Sequence, residues 1–146
     1  MKQAKKIITR MLLNNWGGIS HRMMEFHEYV NLFSGKSGSG KSTVMDAIQV
    51  VLYGSMSASF LNKAADDAKN RRSVMSYLRG EQKDGTANRG GQDFGSTLVL
   101  EIKDTGSGIT TCFGVLFEIG RADTDINGKY TFFSHSGSMP EDEYLE

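Results

Sequence analysis

The sequence is poor in cysteine, carries no net charge and has no long hydrophobic run, and these absences exclude several classes of protein. Cys112 is the only cysteine, so no disulfide can form within the chain, and we expect a cytoplasmic protein. No apolar run approaches the ~20 residues that span a bilayer, and the charged N-terminus lacks the apolar stretch of a secretory signal. Because 17 basic residues balance 17 acidic ones, bulk electrostatics favour no particular partner.

What the sequence does contain is the composition of an ordinary globular protein. Hydrophobic residues make up 38% of the chain and charged residues 23%, which is typical of a soluble domain. A length of 146 residues fits one domain with a core of limited size.

The first third begins with two strand patterns that are separated by a tight turn. Residues 7–16 form a dense, partly alternating apolar run, and the pair Gly17-Gly18 ends it. Residues 21–27 are expected to pair with that strand as a hairpin. Residues 29–33 then form a short, nearly apolar strand that leads directly into a glycine-rich segment, as a buried strand before a phosphate-binding loop does.

That glycine-rich segment, residues 35–42, matches the motif G-x-x-x-x-G-K-[ST] at every fixed position. Its glycines allow the backbone N–H groups to converge on phosphate oxygens, and the helix that follows adds its positive N-terminal dipole. Lys41 is expected to reach the β- and γ-phosphates, and the Ser42 hydroxyl to ligate Mg²⁺. The predicted nucleotide-binding residues are Gly35, Lys36, Ser37, Gly38, Ser39, Gly40, Lys41, Ser42 and Thr43. A glycine-serine linker is disfavoured because a strand precedes the motif and a helix follows it.

From Lys41 onwards the hydrophobic pattern changes to a helical period. Apolar residues recur with the spacing of one helix face, namely Val44, Ala47, Ile48, Val51 and Leu52. Gly54 follows in the position of a C-terminal cap.

The remainder divides into three segments. Residues 55–95 are predicted to be irregular and flexible, apart from an apolar patch at residues 74–78. Residues 96–134 predict an antiparallel meander, with one inward face at Leu98, Leu100 and Ile102 and the next at Phe113, Val115, Phe117 and Ile119. Residues 135–146 form an acidic tail.

Three segments resemble the N-terminal half of SMC-like, ABC-type ATPase heads, including the condensin-like MukB and Wadjet ATPases and the SbcC group. They are MLLNNWGGI at residues 11–19, NLFSGKSGSGKSTVMDAIQVVLYG at residues 31–54 and SYLRG at residues 76–80. The resemblance implies an α/β fold of the P-loop NTPase class, in which one phosphate-loop helix lies against a mixed or antiparallel β meander. It also implies that Arg79 lies near the nucleotide, where it stabilises charge on the γ-phosphate or senses DNA; the alternative is a surface arginine on a short helix.

The same resemblance implies the cofactors and the partners of the chain. The cofactors would be ATP and Mg²⁺, with ATP held between two heads of a homodimer. The partners would be the C-terminal half of the same head, which in these proteins follows a long coiled coil, a second head, DNA and kleisin-type accessory subunits. The signature motif and the catalytic glutamate of these heads do not occur in this chain, so we expect nucleotide binding without efficient turnover.

Two other functions are considered. A complete small P-loop kinase would need an aspartate for Mg²⁺, and Asp104 is the candidate. A non-catalytic nucleotide- or DNA-binding module is the other. Trp16 is expected in the core rather than against the nucleotide base, and Cys112 is expected to pack as a small apolar residue.

Overall fold

The computed structural model describes residues 5–26, 41–54, 73–82 and 84–140. These residues form β1 (Lys6–Trp16), β2 (Ile19–Glu25), α1 (Lys41–Tyr53), α2 (Val74–Arg79), β3 (Phe94–Asp104), β4 (Thr110–Ile119) and β5 (Tyr130–Ser136). The predicted strand at residues 29–33 and the acidic residues 141–146 lie outside the described ranges. Neither helix in the described ranges is long and apolar enough to cross a membrane.

The five strands form one antiparallel sheet in the order β2-β1-β3-β4-β5. β1 pairs with β2 across the Gly17-Gly18 turn, and β3, β4 and β5 follow one another as the predicted meander. The pairing of β1 with β3 joins the N-terminal hairpin to this meander. The predicted antiparallel sheet and α/β class are therefore confirmed.

One face of the sheet packs against both helices and contains the main core. Its strand residues include Met11 and Leu13 on β1 and Leu98 and Leu100 on β3, so the predicted inward face of β3 is confirmed. Phe113 was predicted to point into the same core, but it is 41% exposed. It lines a groove beside the last turn of α1, where the helix no longer covers the sheet.

α1 has the predicted bounds, and Val44, Ala47 and Val51 of its predicted apolar face are buried. It ends at Tyr53, and Gly54 follows with a φ of +64° and donates its N–H to the Val50 carbonyl at 3.0 Å, so the predicted cap is confirmed. Val50 is fully buried whereas Leu52 is 45% exposed, so the prediction for Leu52 is wrong. Asp46 and Val50 are buried as well, and the Tyr77 hydroxyl of α2 donates to the Asp46 carboxylate.

The opposite face of the sheet carries a smaller cluster of Leu12, Val99 and Cys112 that is covered by Met139. The predicted packing of Cys112 as a buried apolar residue is therefore confirmed. Residues 137–140 run across this face, and the Met139 main chain is held by Arg10 and by Glu101.

The segment predicted to be irregular contains regular structure in its described part. α2 is capped at its N-terminus by Ser73, whose Oγ accepts the Ser76 N–H at 3.1 Å, and at its C-terminus by Gly80 in the left-handed conformation. β3 begins at Phe94, two residues before the predicted start of the meander. The division of the chain at residues 54, 95 and 134 stays a prediction.

Candidate nucleotide-binding site

The structure describes the predicted phosphate loop only where it joins α1. Residues 35–40, which include Gly35, Gly38 and Gly40, lie outside the described ranges. Lys41 and Ser42 begin α1, but only their main chain is described. Thr43 is the first of the predicted nucleotide-binding residues with a described side chain, and it is buried.

The first turn of α1 rests on the turn between β1 and β2. The Trp16 indole N–H donates to the Thr43 carbonyl at 2.9 Å. Gly17 has a φ of +60°, and a Cβ added to it would lie 2.8 Å from Thr43 Cγ2, so only glycine fits this close approach. This turn therefore sets the position of the helix end at which the motif predicts the phosphates.

Tyr77 of α2 supports both the turn and the helix. Its ring stacks on Trp16 with centroids 4.7 Å apart and an interplanar angle of 13°. Its carbonyl accepts the Gly17 N–H at 2.7 Å, and its hydroxyl donates to the buried Asp46 carboxylate of α1. Trp16 is fully buried, so its predicted place in the core is confirmed.

Arg79, at the end of α2, lies in a cage of main-chain carbonyls rather than at the surface. Its Nη1 donates to Arg89 and Gln92 at 3.0 and 2.9 Å, and its Nη2 donates to Gly120 at 2.8 Å and to Asp123 at 3.0 Å. The residue is 7% exposed, so the alternative of a surface arginine is wrong.

The side of α2 that Arg79 occupies explains this placement. Residues two apart on a helix point roughly 200° apart, so they lie on opposite sides. Because Tyr77 faces α1, Arg79 faces the connection between β4 and β5. Contact with a γ-phosphate or with DNA would require Arg79 to give up its bonds to these carbonyls.

Arg89 is a second buried arginine, and no sequence pattern singles it out. Its Nε donates to the Leu78 carbonyl at 2.6 Å, and its Nη2 donates to the carbonyls of Gly17 at 2.7 Å and Tyr77 at 3.2 Å. Burial lowers the pKa of Arg89 from its usual value. An arginine in an Asn-Arg-Gly-Gly segment is typical of an exposed turn, so neither the spacing nor the composition of the segment predicts that Arg89 is buried.

Asp104, the Mg²⁺ ligand considered for a small kinase, lies at the other end of the sheet. It pairs with Lys6 at the start of β1, whereas the contact with α1 is made by Trp16 at the end of that strand. Ten residues of strand correspond to roughly 33 Å. Asp104 Oδ1 accepts the N–H of Gly106 at 2.9 Å, which is the geometry of a turn. Among the described residues, no group of three or more His, Cys, Asp or Glu could hold a metal ion.

Two comparisons with known proteins agree with this part of the fold. Residues 8–68 match the family described as the P-loop containing region of AAA domain, a stretch that includes most of β1, the phosphate-loop motif and α1. The chain is also 37% identical over 74 residues to the SbcC component of the nuclease SbcCD from Staphylococcus haemolyticus (strain JCSC1435). That match covers 48% of this chain and 6% of the relative, so the chain spans only a small part of that relative's length.

Proposed function

We propose that this chain, whose N-terminal half is an SbcC-like part of an SMC-like ATPase head, binds ATP and Mg²⁺ at residues 35–43. One observation carries the proposal: the phosphate-loop motif leads directly into a helix whose first turn is anchored to the sheet. Trp16, Gly17 and Tyr77 form that anchor. A phosphate site needs such an anchor because its N–H groups must already be in position when the phosphates arrive.

Each predicted residue has a defined task in this proposal. The main chain of residues 35–40 cradles the phosphates, and Lys41 places a positive charge on their β- and γ-oxygens. The Ser42 hydroxyl would hold Mg²⁺, which would neutralise charge on the phosphates. Both residues begin α1, so the positive end of the helix dipole supports the same anion.

The activity that we propose for the full head is ATP-driven engagement on DNA. The relative is a nuclease component of much greater length. The similarity to it supports a DNA-related ATPase and leaves open which DNA process the full protein serves. In this proposal the C-terminal half of the head and a second head complete the ATP site, and kleisin-type subunits join them. We propose a cytoplasmic, nucleoid-associated location and weak ATP turnover by the 146-residue chain alone.

The test of nucleotide binding compares two lysine variants. Unaltered protein and Lys41→Ala are titrated with a fluorescent ATP analogue in the presence of Mg²⁺, and Lys103→Ala is the matched control. Lys103 is exposed on β3 at the end of the sheet remote from Trp16. We expect Lys41→Ala to weaken binding at least about tenfold, because a charged donor to the phosphates is lost. Equal affinities for all three proteins would contradict the proposal.

Measurements of ATP turnover and of DNA binding test the two alternatives, a small P-loop kinase and a non-catalytic binding module. Rapid ATP hydrolysis that Lys41→Ala abolishes would contradict the expected weak turnover, and phosphoryl transfer to a small acceptor would favour the kinase. DNA affinity that falls steeply with salt and does not respond to ATP would favour a binding module without ATPase function.

A further inference from the structure

The guanidinium of Arg89 lies between the end of α2 and the turn that joins β1 to β2. Through its Nε and Nη2 it bonds to carbonyls at the end of α2 and in the turn between β1 and β2. Arg89 is 6% exposed although it lies in a loop. A charged side chain is buried in a loop only when its bonds to fixed acceptors compensate for the lost hydration.

We propose that Arg89 is a positioning residue for the nucleotide site, which it serves by holding the β1–β2 turn against the first turn of α1. This inference rests on the proposed function and deepens it. Arg89 acts through Gly17, and Gly17 and Trp16 act on Thr43. The position of the first turn of α1 thus depends on a guanidinium 46 residues further along the chain than Thr43.

The packing around this guanidinium leaves little freedom for the turn. A Cβ added to Gly80 would lie 2.7 Å from the Gly17 carbonyl oxygen and 3.0 Å from Arg89 Nη2. Arg79 fixes the main chain of Arg89 itself, because its Nη1 donates to the Arg89 carbonyl at 3.0 Å. Both guanidinium groups also lie over the Phe94 ring, at 5.4 Å for Arg79 and 5.7 Å for Arg89.

The planar fork of arginine is what this geometry requires. Nε and Nη2 donate at the same time to Leu78 and Gly17, which belong to different elements. A lysine would keep the charge but present its donors from one nitrogen atom, so it would not reproduce the spacing of Nε and Nη2 that matches these two carbonyls. Arg89→Lys therefore releases the turn without removing the charge.

The experiment compares Arg89→Lys with Arg10→Lys in the full chain. Arg10 is a partly buried arginine on the opposite face of the sheet, where it bonds Glu101 and the Met139 carbonyl. Both variants lose a forked contact and are expected to unfold at lower urea concentration. Affinity for a fluorescent ATP analogue with Mg²⁺ should fall about tenfold in Arg89→Lys and stay within about twofold in Arg10→Lys.

A second measurement, of tryptophan fluorescence, monitors the turn between β1 and β2 in the absence of nucleotide. Trp16 is the only tryptophan, so its emission reports the contact with Thr43. We expect a red shift in folded Arg89→Lys and none in Arg10→Lys. If Arg89→Lys does not fold, Trp16→Phe replaces it, because this variant removes the donor to Thr43, together with part of the buried indole, and should also weaken nucleotide binding.

The possible outcomes separate this inference from the proposed function. If unaltered protein binds no nucleotide, the proposed function fails and the positioning role fails with it. If unaltered protein binds and both lysine variants lose affinity equally, or neither loses any, only the positioning role of Arg89 is overturned. Unchanged affinity in Trp16→Phe would overturn it as well.

Discussion

Replacement of Trp16 by alanine is expected to lower the free energy of unfolding by about 3–5 kcal/mol, because the side chain is large and fully buried. Its ring stacks on Tyr77 at 4.7 Å and lies 6.5 Å from the Phe117 ring. The cavity left behind would lie between the sheet and both helices, so these neighbours could close it only by moving the helices. Domains of this size are stable by about 5–15 kcal/mol, so the loss would be a large part of the total.

The same substitution is expected to disturb the nucleotide site. Trp16→Ala removes the donor to the Thr43 carbonyl and the ring under Tyr77, so the first turn of α1 loses a hydrogen bond to the end of β1 and α2 loses its stacking partner. Trp16→Phe keeps an aromatic ring but loses the N–H and part of the buried indole, so it should cost more than the about 1 kcal/mol of one hydrogen bond and less than Trp16→Ala. The difference between the two variants thus measures what the remaining aromatic ring contributes.

Urea unfolding followed by far-ultraviolet circular dichroism measures the effect, since Trp16 is the only tryptophan and its fluorescence is lost in the variants. Phe113→Ala is the matched control, because Phe113 is an aromatic residue on the same face of the sheet with 41% of its surface exposed. It should change the stability by less than about 1 kcal/mol. A loss in Trp16→Ala no greater than in this control would show that the ring does not support the core.

The elements that could be predicted from the sequence depend on residues close together in the chain. The turn at Gly17 and the end of α1 at Gly54 are marked by glycines that have positive φ in the structure. The alternation at Leu98 and Leu100 gives the inward face of β3 without any knowledge of its partners. Such signals are local, so they remain readable before the chain is folded.

The buried face of α1 could be predicted only in part. Val44, Ala47 and Val51 are buried as the hydrophobic pattern predicts. The pattern also favours Leu52, which is 45% exposed, and it omits Asp46 and Val50, which are buried. A buried aspartate is stable there because Tyr77 supplies a hydroxyl from a helix 31 residues further on. An apolar pattern contains no information on which polar residue will find such a partner.

The two buried arginines show the same limit at the candidate site. The motif predicts where phosphates bind, and Lys41 and Ser42 stay predictions. The partners of Arg79 and Arg89 are main-chain carbonyls up to 72 residues away, such as Gly17. Because every residue carries a carbonyl, no residue type marks these acceptors in advance.

Glu101 is the second residue whose substitution should have a large effect. It is buried on the face of the sheet opposite the helices, where Arg10 Nη2 donates to its carboxylate at 2.8 Å. The Met139 N–H and the Thr9 hydroxyl donate to the same carboxylate at 2.7 and 2.8 Å. Glu101→Gln leaves a partly buried Arg10 without its counter-charge, and we expect a loss of about 3 kcal/mol at neutral pH.

The pH dependence of this loss follows from the pKa of Glu101. Burial raises that pKa, but the bonds from Arg10, Met139 and Thr9 outweigh burial and hold it below its ordinary value of 4.5. The unfolded chain therefore binds more protons than the folded chain between these two values, so stability rises with pH in that window. The contribution of Glu101 is complete above about pH 4.5 and is lost as the pH falls through the lower, folded pKa.

Unfolding free energies of unaltered protein and Glu101→Gln, measured in urea from pH 7 to about pH 3, test both statements. The difference between the two should be greatest at neutral pH and should narrow below about pH 4.5, because the other acidic groups titrate alike in both proteins. Glu118→Gln on β4 is the matched control, since Glu118 is exposed and its substitution should change stability by less than about 0.5 kcal/mol at any pH. A difference that stays constant down to about pH 3 would mean that the carboxylate charge does not contribute, and that Glu101→Gln acts by packing alone.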